Sequence, residues 1–365
     1  MKLQHMPEDI SIYLSDQFPL TDVVSLGRFL ERQSCLIPAY VPPPVGLLDI
    51  AGLLYARDVE RVAIEILPDR NLVSRIVSIA REGVNSWTEP ARISASLMAF
   101  SQAMDINFEP SIAFHEFAHV QGNAEANKEL AWFRSADNAG AQLWIDLALR
   151  RRASLGIGEP EAVPTHDLAK PLRRWTRNYI VALKIAELEL KKMAPIERAI
   201  QLFTWMFEDF LLAGPAALFS TAYFSPKAAR RRMIKHLRSP DRVRAIKGIK
   251  NAAWDITHLS DFVERVNRDQ TIGKRYIFAT ADKSLASIAR LLLLGEDSLS
   301  DRTRLVENLC LWWPQRDAEK IVEALWELVA RVEEAPQPRR KSNSPSVVSD
   351  FVEQGEASVL SWKSK

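Results

Sequence analysis

The sequence predicts an α/β protein in which a small, mainly parallel sheet, flanked by helices, is interrupted by a large helical insertion. Two short apolar runs, 61–67 and 276–280, have the composition of buried strands, and helical periodicity follows each of them. Between them, residues 125–250 show almost unbroken helical patterning. Ligands of such sheets bind outside the carboxyl ends of the strands, so acidic residues that follow these two runs are the first candidates for a functional site.

The first half of the predicted α/β domain covers residues 59–124. Its strand, 61–67, leads into a helix over 71–82, where apolar residues such as Leu72 and Ile76 recur on one face. We expect these two elements to be the first strand of the sheet and the helix that follows it.

The same half continues with a helix that begins at Glu89-Pro90, because proline suits the first turn of a helix, and runs to about Met104. Residues 106–108 have the composition of a second short strand. A helix that carries Glu116 follows.

The second half of the domain covers residues 251–294. We expect Asp255 to open a helix, a strand over 276–280 to follow it, and a helix over 284–294 to end this half.

The remaining segments lie outside the sheet. Residues 1–58 read as an N-terminal extension that contains an extended, proline-rich stretch at 37–44. Residues 125–250 form the helical insertion and 295–333 the C-terminal helices. The tail, 334–365, is rich in Pro, Arg, Ser and Asn and is predicted to be disordered.

Composition is that of a soluble, globular, intracellular protein. The 365 residues are 47% apolar and 26% charged, with a net charge of +2. Cys35 and Cys310 are the only cysteines, so a disulfide framework is not expected and a reducing cytoplasm fits. The first residues lack the apolar core of a signal peptide, and the longest apolar stretch, 210–224, is too short to span a bilayer.

Four acidic residues occupy positions at which a metal-dependent nuclease would carry ligands. Asp69 and Asp282 each follow a predicted strand, whereas Glu116 and Asp255 lie on predicted helices. Mg²⁺ and Mn²⁺ are hard cations that prefer carboxylate oxygens and retained water. Such ions activate water and stabilise the charge that develops on a phosphodiester during in-line displacement.

Around these acids the chain resembles the PIN-domain nucleases. Segment 67–71, Leu-Pro-Asp-Arg-Asn, is similar to the family's first strand, which ends in an acid with Asn two residues later. Glu116 matches the second acid. Segment 254–259, Trp-Asp-Ile-Thr-His-Leu, resembles the helix of the third acid, and 279–285, Ala-Thr-Ala-Asp-Lys-Ser-Leu, the strand end of the fourth.

The resemblance implies a small PIN-like parallel sheet and Mg²⁺- or Mn²⁺-dependent cleavage of RNA, as in toxins and defence factors, with an inhibitory protein partner or a homo-oligomer as further expectations. It also implies a site in which four acids are metal ligands and two residues support them. The implied ligands are Asp69, Glu116, Asp255 and Asp282, and the supporting residues are Asn71 and Thr280.

The chain departs from the family in the long separation of Glu116 from Asp255, which requires the intervening helices to be an insertion. Asp137 and Asp146 lie in that interval and are further candidate ligands. A simpler interpretation also exists, because Asp at a strand end before a helix is often an N-cap. It applies to Asp69 and Asp282, and to Asp255 as the start of its helix.

Zinc proteolysis is the competing enzymatic interpretation. In His115-Glu116-Phe117-Ala118-His119 the histidines are spaced to share one helix face, with Glu116 as general base. The segment resembles the metzincin proteases, in which Glu125 would stand at the position of the third Zn²⁺ ligand. The zinc-protease interpretation, however, gives no role to Asp69 or Asp282.

A basic segment, defined here as residues 227–250, contains Asp241 as its only acid. Such a concentration of cations favours binding to phosphates and predicts an RNA-binding surface. The same composition would fit a solvated helix face or a surface for an acidic protein partner. It would also fit an RNA-binding protein that has no catalytic activity. The candidate RNA-binding residues are Lys227, Arg230, Arg231, Arg232, Lys235, Arg238, Arg242, Arg244, Lys247 and Lys250.

Overall fold

The computed structural model describes four stretches of the chain, which fall into two compact units. The described residues are 13–269, 273–292, 298–334 and 344–363. Unit 1 draws its residues from Met1–His166 and Arg268–Ala281, and unit 2 draws its residues from Asp167–Asn267 and Asp282–Lys365. Most described residues are helical, and a small mixed sheet makes the fold compatible with the α/β class.

The sheet belongs to unit 1 and has the strand order β1-β4-β2-β3. Strand β2 lies between β3 and β4 and is parallel to both, whereas β1 pairs antiparallel with β4. The strands are β1 (Leu36–Pro38), β2 (Ala63–Pro68), β3 (Asn107–Phe108) and β4 (Lys274–Ala279).

The predicted strands at 61–67 and 276–280 are confirmed as parallel neighbours, because β2 pairs with β4 from Ala63 opposite Lys274 to Pro68 opposite Ala279. The stretch 37–44, expected to be a linker, instead begins with the end of β1. Leu36 and Ile37 are buried, which favours a strand. Pro38 is tolerated because β1 is an edge strand, where a missing N–H is not needed.

The helices of unit 1 confirm the order expected from periodicity in its first half. Thr88 caps α4 with its side chain, and a proline occupies the first turn. The helices are α1 (Leu20–Gln33), α2 (Ile50–Asp58), α3 (Arg70–Glu82), α4 (Glu89–Met104), α5 (Ser111–Gln121), α6 (Asn123–Asp137) and α7 (Ala141–Ala148).

Unit 2 is helical in its described residues. Its first helices, in chain order, are α8 (Arg173–Leu190), α9 (Pro195–Glu208), α10 (Gly214–Phe224), α11 (Arg230–Met233) and α12 (Arg242–Arg268). The later helices are α13 (Lys283–Leu291), α14 (Ser298–Leu309), α15 (Gln315–Glu334) and α16 (Pro345–Leu360).

Helix α12 corrects one expectation, since it begins at Arg242 and Asp255 lies near its middle. Ala245, Ile249 and Ala252 are buried, so the apolar stripe of the helix extends back through the basic segment. The interpretation of Asp255 as an N-cap is therefore wrong.

Helix α16 corrects the prediction of a disordered tail over residues 345–360. Proline occupies its first turn, Val359 is buried, and the helix packs on α8. The tail residues 335–343 and 364–365 lie outside the described residues. No helix among the described residues is long and apolar enough to cross a membrane.

Candidate functional site at the carboxyl ends of β2 and β4

Asp69 and Thr280 meet directly beyond the paired ends of β2 and β4. The ladder continues past both strands, because the Asp69 N–H donates to the Ala279 carbonyl at 2.9 Å. The Thr280 hydroxyl donates to Asp69 Oδ2 at 2.6 Å. Asp69 Oδ1 accepts the Leu72 N–H at 2.8 Å, so the same carboxylate caps α3.

This pair is shielded from water, since Asp69 is 2% exposed and Thr280 1% exposed. Burying a carboxylate is costly unless hydrogen bonds compensate for the lost hydration. The two donors supply that compensation and fix the orientation of the carboxylate. The prediction that Asp69 caps a helix is confirmed; its role as a metal ligand stays a prediction.

The pair lies where the strand order reverses. From β2 the chain continues to β3 on one side, and β4 returns on the other side of β2. The crevice outside the carboxyl ends at such a switch point is where open α/β sheets bind ligands. Asp69 and Thr280 therefore occupy the position in unit 1 that topology most favours for a site.

Glu116 lies half-buried on α5, near the start of α3. The evidence is the contact between their neighbours, because the Arg70 guanidinium lies 4.0 Å from the centre of the Phe117 ring. Asp69 precedes Arg70 in the sequence, and Glu116 precedes Phe117. Unit 1 thus brings the segments that carry these two acids together.

Arg70 is a feature of this region that sequence patterns did not reveal. Its Nη2 donates to both carboxylate oxygens of Glu129 on α6, at 2.8 Å each. Its Nη1 is buried and has no hydrogen-bond partner among the described residues. The sequence around the end of β2 gave no signal for these contacts, because only the fold brings α5 and α6 to the start of α3.

The other two predicted acids belong to unit 2. Asp255 is half-buried on α12, where it has no capping role. Asp282 is exposed and caps α13, accepting the N–H groups of Ser284 at 2.8 Å and Leu285 at 3.1 Å. Cap formation by Asp282 is confirmed, and metal binding by either acid stays a prediction.

The supporting and additional candidates in unit 1 have separate environments. Asn71 is exposed in the first turn of α3. Asp137, at the end of α6, accepts Gln102 Nε2 at 3.2 Å and pairs with Arg134 at 3.4 Å. Burial raises the pKa of Asp137, and the Arg134 guanidinium opposes part of that rise.

Asp146, the other additional candidate, accepts Gln142 Nε2 at 2.9 Å and lies 3.4 Å from Arg151. It therefore has a local structural role on α7. Within the part of the chain that the structure describes, no group of three or more His, Cys, Asp or Glu side chains is arranged to hold a metal ion.

The residues of the zinc alternative have other contacts. His119 is exposed, and its Nδ1 lies 2.8 Å from the His115 carbonyl of the same helix. Glu125 is exposed on α6 and pairs with Lys128 at 2.6 Å. Zinc binding by these residues stays a prediction.

The basic segment contains cations that hold unit 2 together. Arg230 donates to the carbonyls at the end of α10, those of Tyr223, Phe224 and Ser225, at 3.0–3.2 Å. Arg242 donates to the Leu237 and Ser239 carbonyls at 2.8 Å each. Orphan carbonyls at helix ends and in loops need such donors.

Other cations of this segment form longer contacts or are exposed. Lys227 Nζ lies 3.4 Å from the Cys310 carbonyl, and Lys250 lies 3.6 Å from Glu356. The side chain of Arg231 lies outside the described residues. The exposed cations among the described side chains are Lys227, Arg232, Lys235, Arg238, Arg244, Lys247 and Lys250.

Comparisons with protein-family models, with curated proteins and with solved structures found no match to this chain. The PIN-like interpretation therefore depends on the residues and contacts described above.

Proposed function

We propose that this chain is a PIN-like, metal-dependent ribonuclease whose catalytic chemistry is centred on Asp69. The observation that carries the proposal is the buried Asp69–Thr280 pair at the carboxyl ends of two adjacent parallel strands. A carboxylate held in place at a switch point is suited to bind a cation, and the cation would in turn bind the phosphodiester.

The acids proposed as ligands fit Mg²⁺ or Mn²⁺ by their chemistry. Carboxylate oxygens are the hard donors that these cations prefer. The bound ion would activate water for attack on phosphorus.

Glu116, Asp255 and Asp282 complete the proposed ligand set. Support for Glu116 comes from the contact of Arg70 with Phe117, which brings α5 to the start of α3. Asp255 is supported by the resemblance of segment 254–259 to the helix that carries the family's third acid. Asp282 is supported by its place three residues after β4. Asn71 and Thr280 would orient ligands and water.

RNA is proposed as the substrate because exposed cations of the basic segment, such as Arg232, Arg244 and Lys247, are suited to phosphates. Action as a toxin or defence factor, with an inhibitory protein, stays a prediction.

Substitution of Asp282 by Asn is the most direct test. Asn is also a good N-cap, so Asp282→Asn should preserve α13 and the fold while it removes a charge. We expect cleavage of single-stranded RNA with Mg²⁺ or Mn²⁺ to fall about a hundredfold or more, since even residues behind metal ligands cost up to about that factor.

His119→Ala is the control, because the proposal gives His119 no part in the chemistry; cleavage should stay within about twofold of the parent, well inside the 10-fold lower limit for metal-site residues. Cleavage that survives Asp282→Asn would contradict the proposed ligand set. One equivalent of tightly bound Zn²⁺ that is lost with His119→Ala would support the protease instead.

A further inference from the structure

Unit 2 contains a second feature with the chemistry of a binding site, a surface pocket of ≈ 700 Å³ near the end of α8. Its polar lining consists mainly of side chains from the loop between α11 and α12. Residues of the lining include Glu189, Arg230, Lys235, His236, Arg238 and Ser239.

Glu189 is the buried centre of the pocket wall. Arg198 Nη1 donates to Glu189 Oε2 at 2.7 Å, and Arg238 Nη2 donates to Oε1 at 3.0 Å. Arg230 Nη1 lies 3.8 Å from the same Oε1. The side chain of Glu189 is 4% exposed, so a single carboxylate balances several guanidinium groups with little help from water.

The lining has more positive than negative charge. Arg230, Lys235 and Arg238 are cations, whereas Glu189 is the one acid among the lining residues described. Lys235 and His236 are exposed, and within the described residues neither side chain forms a hydrogen bond or an ion pair. The pocket therefore attracts anions and retains donors with which to bind them.

The loop that carries these donors is held rigidly. A Cβ on Gly248 of α12 would lie 1.8 Å from the Lys235 carbonyl oxygen, so α12 and the loop backbone are in direct contact. Arg242 ties the Leu237 and Ser239 carbonyls to the start of α12. His236 has a φ of 60°, a left-handed conformation that is uncommon outside glycine. A fixed loop backbone lowers the entropic cost of binding.

We propose that this pocket binds a nucleotide phosphate of single-stranded RNA through Lys235, His236 and Arg238. Its volume exceeds that of a bare phosphate ion and falls in the range of small-molecule sites. The buried apolar residues Ile234 and Leu237 also line it and provide a wall for the remainder of a nucleotide. The choice of RNA as the ligand rests on the proposed function, whereas affinity for a nucleotide phosphate does not.

The test is titration of the full-length protein in EDTA, so that cleavage plays no part, with uridine 5′-monophosphate, inorganic phosphate and uridine as probes. The monophosphate should bind more tightly than phosphate, and uridine should show no saturable binding. Uridine that binds as well as its monophosphate, or a monophosphate that does not bind, would overturn the proposal.

Lys235→Gln should weaken binding of the monophosphate about tenfold, which corresponds to about 1.4 kcal/mol. Lys320→Gln is the matched control, because Lys320 is exposed on α15 and does not line the pocket; its effect should stay below about twofold, under 0.5 kcal/mol on the same scale. Arg238→Gln should weaken binding further, but its contact with Glu189 links it to folding, so Lys235→Gln decides the result. Equal effects of Lys235→Gln and Lys320→Gln would overturn the site.

RNA itself is tested by competition. An oligouridylate with a 5′ hydroxyl should displace the monophosphate, and failure to displace it would overturn RNA as the ligand. Asp69→Asn measured in parallel should retain this binding. If Asp69→Asn still cleaves RNA as the parent does, the proposed ribonuclease function is contradicted. The proposed phosphate pocket is tested only by the binding measurements.

Discussion

Asp69 illustrates how one side chain serves folding and also suits a catalytic role. Its carboxylate caps α3 through Leu72 and accepts the hydroxyl of Thr280, and both contacts are buried. If either donor is removed, a charged acceptor loses compensation that water cannot replace.

Thr280→Val should therefore destabilise the protein by about 1–3 kcal/mol, because it removes the hydroxyl and keeps the shape. Thr280→Ser retains the donor and should cost less, since only a methyl group is lost. Urea unfolding of the three proteins measures the difference. Equal stability of the Val and Ser variants would show that the hydrogen bond to Asp69 contributes little.

The stability contributed by Asp137 should depend on pH in the direction set by its raised pKa. An acid with a folded-state pKa above the unfolded value, ~3.9, favours the folded state when protonated. Its contribution is therefore fully present below the unfolded pKa and is lost as pH rises through the folded pKa.

Asp137→Asn removes this titration. In EDTA, the free energy of unfolding of the parent minus that of Asp137→Asn should fall as pH increases above about 4 and then become constant. Unfolding at a series of pH values measures it, and a difference that rises with pH would contradict the assignment.

At the scale of elements, sequence patterns predicted the helices and strands whose own residues carry the signal. Strand β2 and helix α3 follow from a short apolar run, an N-cap and a single apolar face. The start of α12 was missed because its cations suggested a phosphate-binding segment, although the apolar stripe continues beneath them. Helix α16 was missed because the start of the tail is rich in Pro, Arg and Ser, although apolar residues recur over 345–360 and the helix packs on α8.

The end of α8 depends on a buried charge that no sequence pattern reveals. Glu189 is held by Arg198, Arg230 and Arg238, which come from later parts of the chain. The contact with Arg238 spans 49 residues and the contact with Arg198 spans nine, so neither follows from helical periodicity or local spacing.

Glu189→Gln should destabilise the protein by about 3 kcal/mol or more, because it leaves Arg198 buried without its counter-charge. Glu187→Gln is a matched control two residues away, since its partners Lys184 and Lys191 lie nearer to solvent; its cost should be below about 1 kcal/mol. Chemical unfolding compares them, and similar values would mean that the buried cluster adds no more than a surface pair.

At the scale of the whole molecule, a net charge of +2 hides a local excess of cations between residues 227 and 250. The structure divides these cations between folding and exposure. Arg230 and Arg242 bind carbonyl groups, whereas Arg232, Arg244 and Lys247 are exposed. The sequence predicted the excess of positive charge. Which cations bind carbonyl groups and which are exposed could be seen only in the structure.

RNA binding should consequently be sensitive to salt. Each contact with a phosphate of single-stranded RNA contributes a slope of about 0.7 to the dependence of log affinity on log salt. Replacing Arg232, Arg244 and Lys247 with Ala should weaken binding and flatten this dependence, as measured in EDTA. Arg230 is retained because it caps α10. A variant that matches the parent at every salt concentration would indicate that these cations face another partner.

The split of unit 1 along the chain has a consequence for biosynthesis. Strand β2 is made early, but its neighbour β4 begins at Lys274, after the ribosome has added Asp167–Asn267 of unit 2. Until then one edge of β2 is unpaired and β1 has no partner in the sheet, a condition that invites association with other chains. The nascent chain would thus be most exposed to aggregation while the helices of the other unit are being translated, and it would gain protection once Ala279 has left the exit tunnel.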